Sequence, residues 1–408
     1  MVDTHPSARR VLLPLGLAVC LSLFGDLTLY AVLPSQREAV GLSLAAVGVM
    51  LGANRLIRIP SNPLIGVLFD RVGRRRLFLL GMVLGVLSTF GYSLATGFWP
   101  FLITRLLWGV SWTLINIGGI TMVHDVSTVA DRGRLAGIYN AWMLVGFAVG
   151  PLLGGFLVDA VGFRATMRLY AATTAIGLLV AALALPETYR RDPALRATAV
   201  PFAKLSAFVR DEAQALRHNP QLLSVLLLAL IFQFVGEGIA LSTLNLLTAD
   251  RFGDTVSVGA LALGVASATG ILSALRSLIA GAAGPAAGLI SDRRNERSLV
   301  MAGSLVLGIG SFALLSMARS LPLIVAAVAL SATSAGAGMA GLTAAVGDLA
   351  PRRQLGAAIG AYATAGDIGA AAGPFLAFAL ALVIPLGWLY VICAFAFLVG
   401  LLVLRRLR

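Results

Sequence analysis

Apolar runs long enough to cross a lipid bilayer recur along the whole chain, and they restrict its fold more than any motif does. They lie near residues 11–34, 44–69, 77–96, 99–123, 135–158 and 166–185, then 221–248, 257–283, 298–318, 321–346, 355–381 and 386–404. A spanning helix takes about 20 residues, because the hydrocarbon core is about 30 Å thick and a helix rises about 1.5 Å per residue. Of 408 residues, 59% are hydrophobic and only 12% are charged, against about 25% charged in a soluble domain. A water-soluble globule cannot hide that much apolar surface, whereas a lipid-facing protein has no need to. The fold class is an all-α polytopic membrane protein with twelve transmembrane helices.

A formal charge of +13 would suit nucleic acid if the 31 basic residues formed one patch, but they fall in alternate loops. With the N-terminus in the cytoplasm, 22 occupy cytoplasmic segments and five (Arg37, Arg164, Arg168, Arg251 and Arg319) occupy the opposite loops. The other four, Arg55, Arg58, Arg105 and Arg276, sit inside spans. This bias places both termini in the cytoplasm and excludes a nucleic-acid partner. The expected location is the cytoplasmic (inner) membrane of a bacterium. Arg9 and Arg10 before an apolar run imitate a secretory leader, with Cys20 imitating a lipoprotein site. The residue before Cys20 is Val19, however, and the run resumes after Asp26 through Pro34, so it reads as a retained first span. Cys20 and Cys393 lie in apolar segments and His5, His124 and His218 are scattered, so neither a disulfide framework nor a metal site is expected.

A shift of 223 residues superimposes the chain on itself. Asp125 falls on Asp348, Gly137 on Gly360, Tyr139 on Tyr362, Gly146 on Gly369, Gly150 on Gly373 and Pro151 on Pro374. Gly66 and Asp70 fall on Gly288 and Asp292 at a shift of 222. Six spans are therefore duplicated, giving two pseudo-symmetric six-helix bundles, residues 1–186 and 221–408, that run the same way through the membrane. Residues 187–220 form a cytoplasmic linker. Within it Phe202, Leu205, Phe208 and Val209 recur at helical spacing, which predicts an amphipathic surface helix over Phe202–Leu216.

Two motifs stand out. After span 2 the chain reads Gly66, Val67, Leu68, Phe69, Asp70, Arg71, Val72, Gly73, Arg74, Arg75. Asp70 at a helix end could meet an adjacent helix N-terminus or an arginine and latch one side closed; a plain charged turn would look the same. The second copy keeps Gly288, Asp292 and Arg293 but lacks the second glycine. Span 5 carries Gly146, Gly150, Pro151, Gly154 and Gly155, and span 11 repeats Gly369, Gly373 and Pro374. Small residues four apart let helices approach closely, and the prolines can bend them.

At these residues the chain resembles the major facilitator superfamily, and within it the twelve-helix drug/proton antiporters. The resemblance covers essentially the whole chain. Arg105 through Gly109 is similar to the helix 4 motif, whose arginine is assigned a part in proton transfer. Asp26 with Tyr30 and Pro34 is similar to the helix 1 pattern, and Leu185 through Thr188 to the ending of helix 6. The resemblance implies alternating access around a midplane cavity lined by helices 1, 4, 7 and 10.

Acids inside the spans sharpen this. Each charge at a helix centre costs about 2.5–3.5 kcal/mol on the insertion scale and is seldom kept without a partner or a task. Asp26 in span 1, Glu237 in span 7 and Asp367 in span 11 are the expected proton-coupling acids, with Arg105 beside them; Asp367 is the weaker, because the resemblance places span 11 at the periphery. The alternative for each is a structural ion pair with Arg55, Arg58, Arg105 or Arg276. Glu237 follows Phe234 and Gly236 much as Asp26 follows Phe24 and Gly25, but at a shift of 211, so about eleven extra residues lie before span 8. Arg105, Trp108, Trp112 and Asn116 recur at i, i+3, i+7 and i+11. They form either a cavity stripe, with Tyr30, Asn140 and Gln233 as further lining, or ordinary packing.

Gly336, Gly338 and Gly341 match a dinucleotide fingerprint by letter only, since they lie within a span with no preceding strand. No P-loop and no HExxH occur, so neither an enzyme nor a cofactor is expected. The partners are lipid, protons and a small-molecule substrate, and the chain is read as a monomer. The expected function is proton-coupled export of small hydrophobic or cationic compounds; a lipid or metabolite carrier without proton coupling is the alternative. Asp70→Asn is expected to slow turnover in vesicles while sparing ligand affinity in detergent, since a latch worth about 1–2 kcal/mol shifts a conformational balance about five- to thirty-fold.

Overall fold

The computed structural model describes residues 7–128, 130–189, 219–259, 261–294, 296–350 and 355–407. The amphipathic helix expected over Phe202–Leu216 lies outside the described residues. Twelve long helices follow in order: α1 (Ala8–Gln36), α2 (Leu44–Val72), α3 (Arg74–Leu94), α4 (Phe98–Asp125), α5 (Arg132–Val161), α6 (Phe163–Ala184), α7 (Pro220–Phe252), α8 (Val265–Arg294), α9 (Arg297–Met317), α10 (Leu321–Leu349), α11 (Leu355–Leu380) and α12 (Leu386–Leu404). Eleven are long and apolar enough to cross a membrane. The remaining one, α2, is 29 residues long but carries Asn54, Arg55, Arg58 and Asn62 in its middle. Large apolar side chains such as Leu183, Trp99, Phe395 and Ile103 stand exposed on the outside, as a lipid solvent permits.

The duplication is visible in the packing. Helix α1 packs on α5 and α6, α2 on α4, and α3 on α4 and α6; in the second half α7 packs on α11 and α12, α8 on α10, and α9 on α10 and α12. Every pairing recurs six helices later. The halves then meet through α2 against α11 and α5 against α8, two interfaces related by the same operation.

Two elements depart from the sequence reading. Span 8 was expected to open at residue 257, but residues Thr255–Val258 and Leu261–Gly264 pair as a short antiparallel hairpin and α8 begins at Val265. The stretch is apolar enough to be taken for helix, yet Val256, Ser257 and Val258 alternate as a strand does. The hairpin accounts for about half of the extra length before α8, and the longer run of α7 after Glu237 for the rest. The second departure is a π turn within α7 at Phe234–Ala240, which carries Glu237. Such wide turns occur mostly as short insertions, often at functional sites.

Single-residue turns join α2 to α3 at Gly73 (φ 113°) and α5 to α6 at Gly162 (φ 82°). Only glycine takes these angles without a steric cost.

The glycines of α5 are used for close approach. A side-chain carbon added at Gly150 would lie 2.9 Å from Phe24 Cα of α1, and one at Gly146 would lie 3.1 Å from the Cys20 carbonyl. Gly154 faces Thr28 of α1, and Gly155 turns to the Ala266 backbone of α8 in the other half. Gly373 plays the matching part against Gly238 of α7. Pro151 lacks the N–H that would bond the Phe147 carbonyl, and the Ser277 hydroxyl of α8 lies 3.3 Å from that oxygen. Gly150→Leu should therefore force α1 from α5. The expected outcome is loss of transport with a lowered melting temperature in detergent, consistent with an overpacking cost of about 1–3 kcal/mol.

Candidate functional site

Each of the three acids inside the helices is ion-paired. In the first half, Arg105 Nη1 lies 2.5 Å from Asp26 Oδ1, and Arg105 is fully buried. Its Nε donates to the Met50 carbonyl at 2.7 Å, and its guanidinium sits 5.7 Å and 5.9 Å from the Tyr30 and Tyr92 rings. Tyr30 donates to the Leu51 carbonyl at 3.0 Å and lies 3.3 Å from Asn54 Oδ1, so it is held to α2.

The other two acids join the halves. Asp367 of α11 pairs with Arg58 of α2 at 3.1 Å, with Asn62 Nδ2 3.4 Å away. Thr113 of α4 donates to Asn62 Oδ1 at 3.1 Å, which orients that amide. Asp367 is thus buried at the interface of the halves, which corrects its expected peripheral place: α11 packs on α2 along the dividing plane. Glu237 of α7 bridges Arg55 of α2 at 3.3 Å and Arg276 of α8 at 2.7 Å, and Arg276 also donates to the Gly236 carbonyl. The Glu237 side chain is 30% exposed, against 9% for Asp26 and 7% for Asp367, so it is the most open of the three.

The α4 stripe divides. Trp112 and Asn116 follow Arg105 by about whole turns, but Trp108 trails by three residues and so sits about 60° away. Trp108 is 1% exposed, turned toward Gly85 of α3 and stacked on Trp112 with ring centroids 6.4 Å apart. It is a packing residue in this conformation, which corrects its expected place in the cavity. Asn116 and Gln233 are half-buried and Asn140 is exposed; Gln233 lies one turn before Glu237 and close to Gly366 of α11.

The halves close on the side away from the termini. Ser35 N–H of α1 donates to Asn245 Oδ1 of α7 at 2.8 Å. Asp159, at the end of α5, accepts from the Ser267 amide at 2.8 Å and hydroxyl at 2.5 Å, capping the first turn of α8 from the opposite half. Sequence reasoning missed Asp159, whose partner is 108 residues away. On the termini side the small residues Gly66, Gly137, Gly288 and Gly360 have no atom within 4 Å of where a side-chain carbon would stand. The hydrogen bonds of Ser35 and Asp159 to the opposite half thus lie on the side away from the termini.

On the side of the termini each half carries its own brace. Arg74 pairs with Asp125 at 3.2 Å, and Arg297 pairs with Asp348 at 2.8 Å, both members displaced by the repeat shift. Arg74 also donates to the Phe69 carbonyl, and Thr188 donates to Asp125 at 2.8 Å. Glu187 accepts the Arg74 and Arg75 amides at 3.0 Å and 3.3 Å, so the helix-6 ending caps α3. Glu187 is the carboxylate at this helix N-terminus; Asp70 was expected to meet a helix N-terminus or an arginine. The Asp70 side chain lies outside the described residues, and Arg71 and Asp292 are exposed.

The sequence model of the Major Facilitator Superfamily matches residues 15–275 and 263–408. The chain belongs to the major facilitator superfamily. It is 29% identical over 164 residues to multidrug resistance protein 2 of Bacillus subtilis (strain 168), an alignment covering 39% of this chain and 41% of that relative. Among solved structures it resembles the human organic anion transporter MFSD10 (21% identity, 98% of this chain and 100% of that one, TM-score 0.69). It also resembles a bacterial homologue of the human lysosomal transporter Spinster in an inward-facing, unoccupied conformation (17% identity, 99% and 96%, TM-score 0.74). At these identities the structural likeness establishes the fold alone.

The Asp159 cap should favour the far-side-closed state. Asp159→Ala, at a cost of about 0.5–2 kcal/mol, is expected to speed maleimide labelling of a cysteine placed at Thr248, in a background lacking Cys20 and Cys393.

Proposed function

We propose that this protein is a proton-coupled secondary transporter that exports small, largely hydrophobic compounds by alternating access between its two halves. The observation that carries the reading is that two of the three membrane acids, Glu237 and Asp367, pair with arginines across the dividing plane. A proton on such a carboxylate removes the attraction that ties the halves, and the loss of one partner of a buried pair is costly. Protonation can thereby bias a two-state equilibrium, which is the physical requirement for coupling. The multidrug relative supports the substrate class. In this reading the termini face the cytoplasm and the far side is held by contacts between the halves, so compounds enter from inside a bacterial cell, and a monomer suffices because both halves lie within one chain.

A second reading has its own support. Every membrane acid is paired, so the acids could serve structure alone in a carrier without proton coupling. An imposed proton gradient separates the two. In proteoliposomes the wild type should accumulate compounds from a hydrophobic panel against their gradient, and Asp26→Asn should abolish this. Because Arg105 is fully buried, that variant should also melt earlier, and Glu237→Gln is the companion with the more accessible site. Undiminished gradient-driven accumulation in Asp26→Asn would remove Asp26 from the coupling path.

A further inference from the structure

Charge does not balance inside the membrane-spanning part of the molecule. Four arginines, Arg55, Arg58, Arg105 and Arg276, face three carboxylates. Asp26 answers Arg105 and Asp367 answers Arg58, one to one. The surplus positive charge therefore lies where Glu237 is shared between Arg55 and Arg276. A guanidinium taken out of water needs an anion or several hydrogen-bond acceptors.

Three observations make this more than a structural pair. Glu237 is the most exposed of the three membrane acids, at 30%. The Arg276 Nε donor is buried and has no hydrogen-bond partner among the described residues. The two guanidinium groups come from opposite halves, so whatever binds between them feels the distance between the halves.

We propose that Arg55 and Arg276 bind the anionic group of the transported compound, an organic carboxylate, and that Glu237 fills this place as an internal stand-in while the carrier is empty. The assignment rests on the transport reading above. The chemistry is that of a carboxylate because one already sits there, with an oxygen to each guanidinium. A cationic compound would double the surplus charge at this point; an anionic one cancels it. This narrows the substrate class away from the cations that the sequence allowed.

Matched probes test it: 1-naphthoate, the neutral 1-naphthamide and the cationic 1-naphthylmethylamine, titrated into the purified full-length protein in detergent. The carboxylate should bind about tenfold or more tighter than the amine, the size expected of a charge-assisted pair. Glu237→Gln should tighten naphthoate further, again by about tenfold, because both guanidinium groups lose their internal competitor. Misfolding cannot produce that gain. Arg276→Gln should weaken naphthoate, with Arg276→Lys restoring part of the affinity. Equal or better binding of the amine, no binding of any probe, or no gain in Glu237→Gln overturns the assignment. Gradient-driven uptake of the same probes in vesicles judges the transport reading separately. Uptake of the amine but not the carboxylate would sink the anion site and leave transport standing. Absence of gradient-driven uptake, with the binding pattern as expected, would sink proton coupling and leave the site.

Discussion

A charge placed in the middle of a membrane must find its opposite, and here that requirement fixes how the two halves meet. Arg55 and Arg58 lie on α2, where no acid of their own half pairs with them in the described structure; their partners are Glu237 and Asp367 of the other half. The first half is therefore electrostatically incomplete on the surface it turns inward, and the second completes it. Asp26 and Arg105, by contrast, settle their charges within one half. The same helix that fails the test of apolarity is one of the four that pack along the dividing plane.

Around this constraint the seam between the halves combines close packing with bonds that can be broken. Glycines and backbone carbonyls make the close contacts of α5 with α1 and of α11 with α7, which are within a half. The same device joins the halves: Gly48 and Gly52 of α2 face the Pro374 and Ala371 carbonyls of α11, and Gly155 of α5 faces the Ala266 carbonyl of α8. Polar groups are added there: Asp159 with Ser267, Ser35 with Asn245, and the two ion pairs. Tightly packed apolar contacts resist sliding, whereas hydrogen bonds and ion pairs can be exchanged for water or a proton. The polar part of the seam is the part that chemistry can break.

Much of the fold was legible because lipid imposes simple rules. Span number, the duplication and the tight-packing role of Gly150 all follow from length, hydropathy and spacing. Span 8 was misplaced by eight residues at its start, since an apolar strand and an apolar helix look alike over so short a run. The Arg74–Asp125 and Arg297–Asp348 pairs left a signal that went unused: both arginines sit at the repeat shift, as both acids do. Which acid meets which arginine was not legible, because pairing depends on how α2 lies on α11 and α8. The place of Trp108 turned on a 60° offset that the i+3 spacing implies but a list of aromatic residues conceals.

The one-residue turns at Gly73 and Gly162 have a mechanical consequence. A connection of a single residue leaves no slack, so any tilt of α2 or α5 is passed at once to α3 or α6. The connection between α11 and α12, which corresponds to that between α5 and α6, is five residues long. Two bundles that share one architecture therefore differ at this joint: α5 and α6 are tied more tightly to each other than α11 and α12 are.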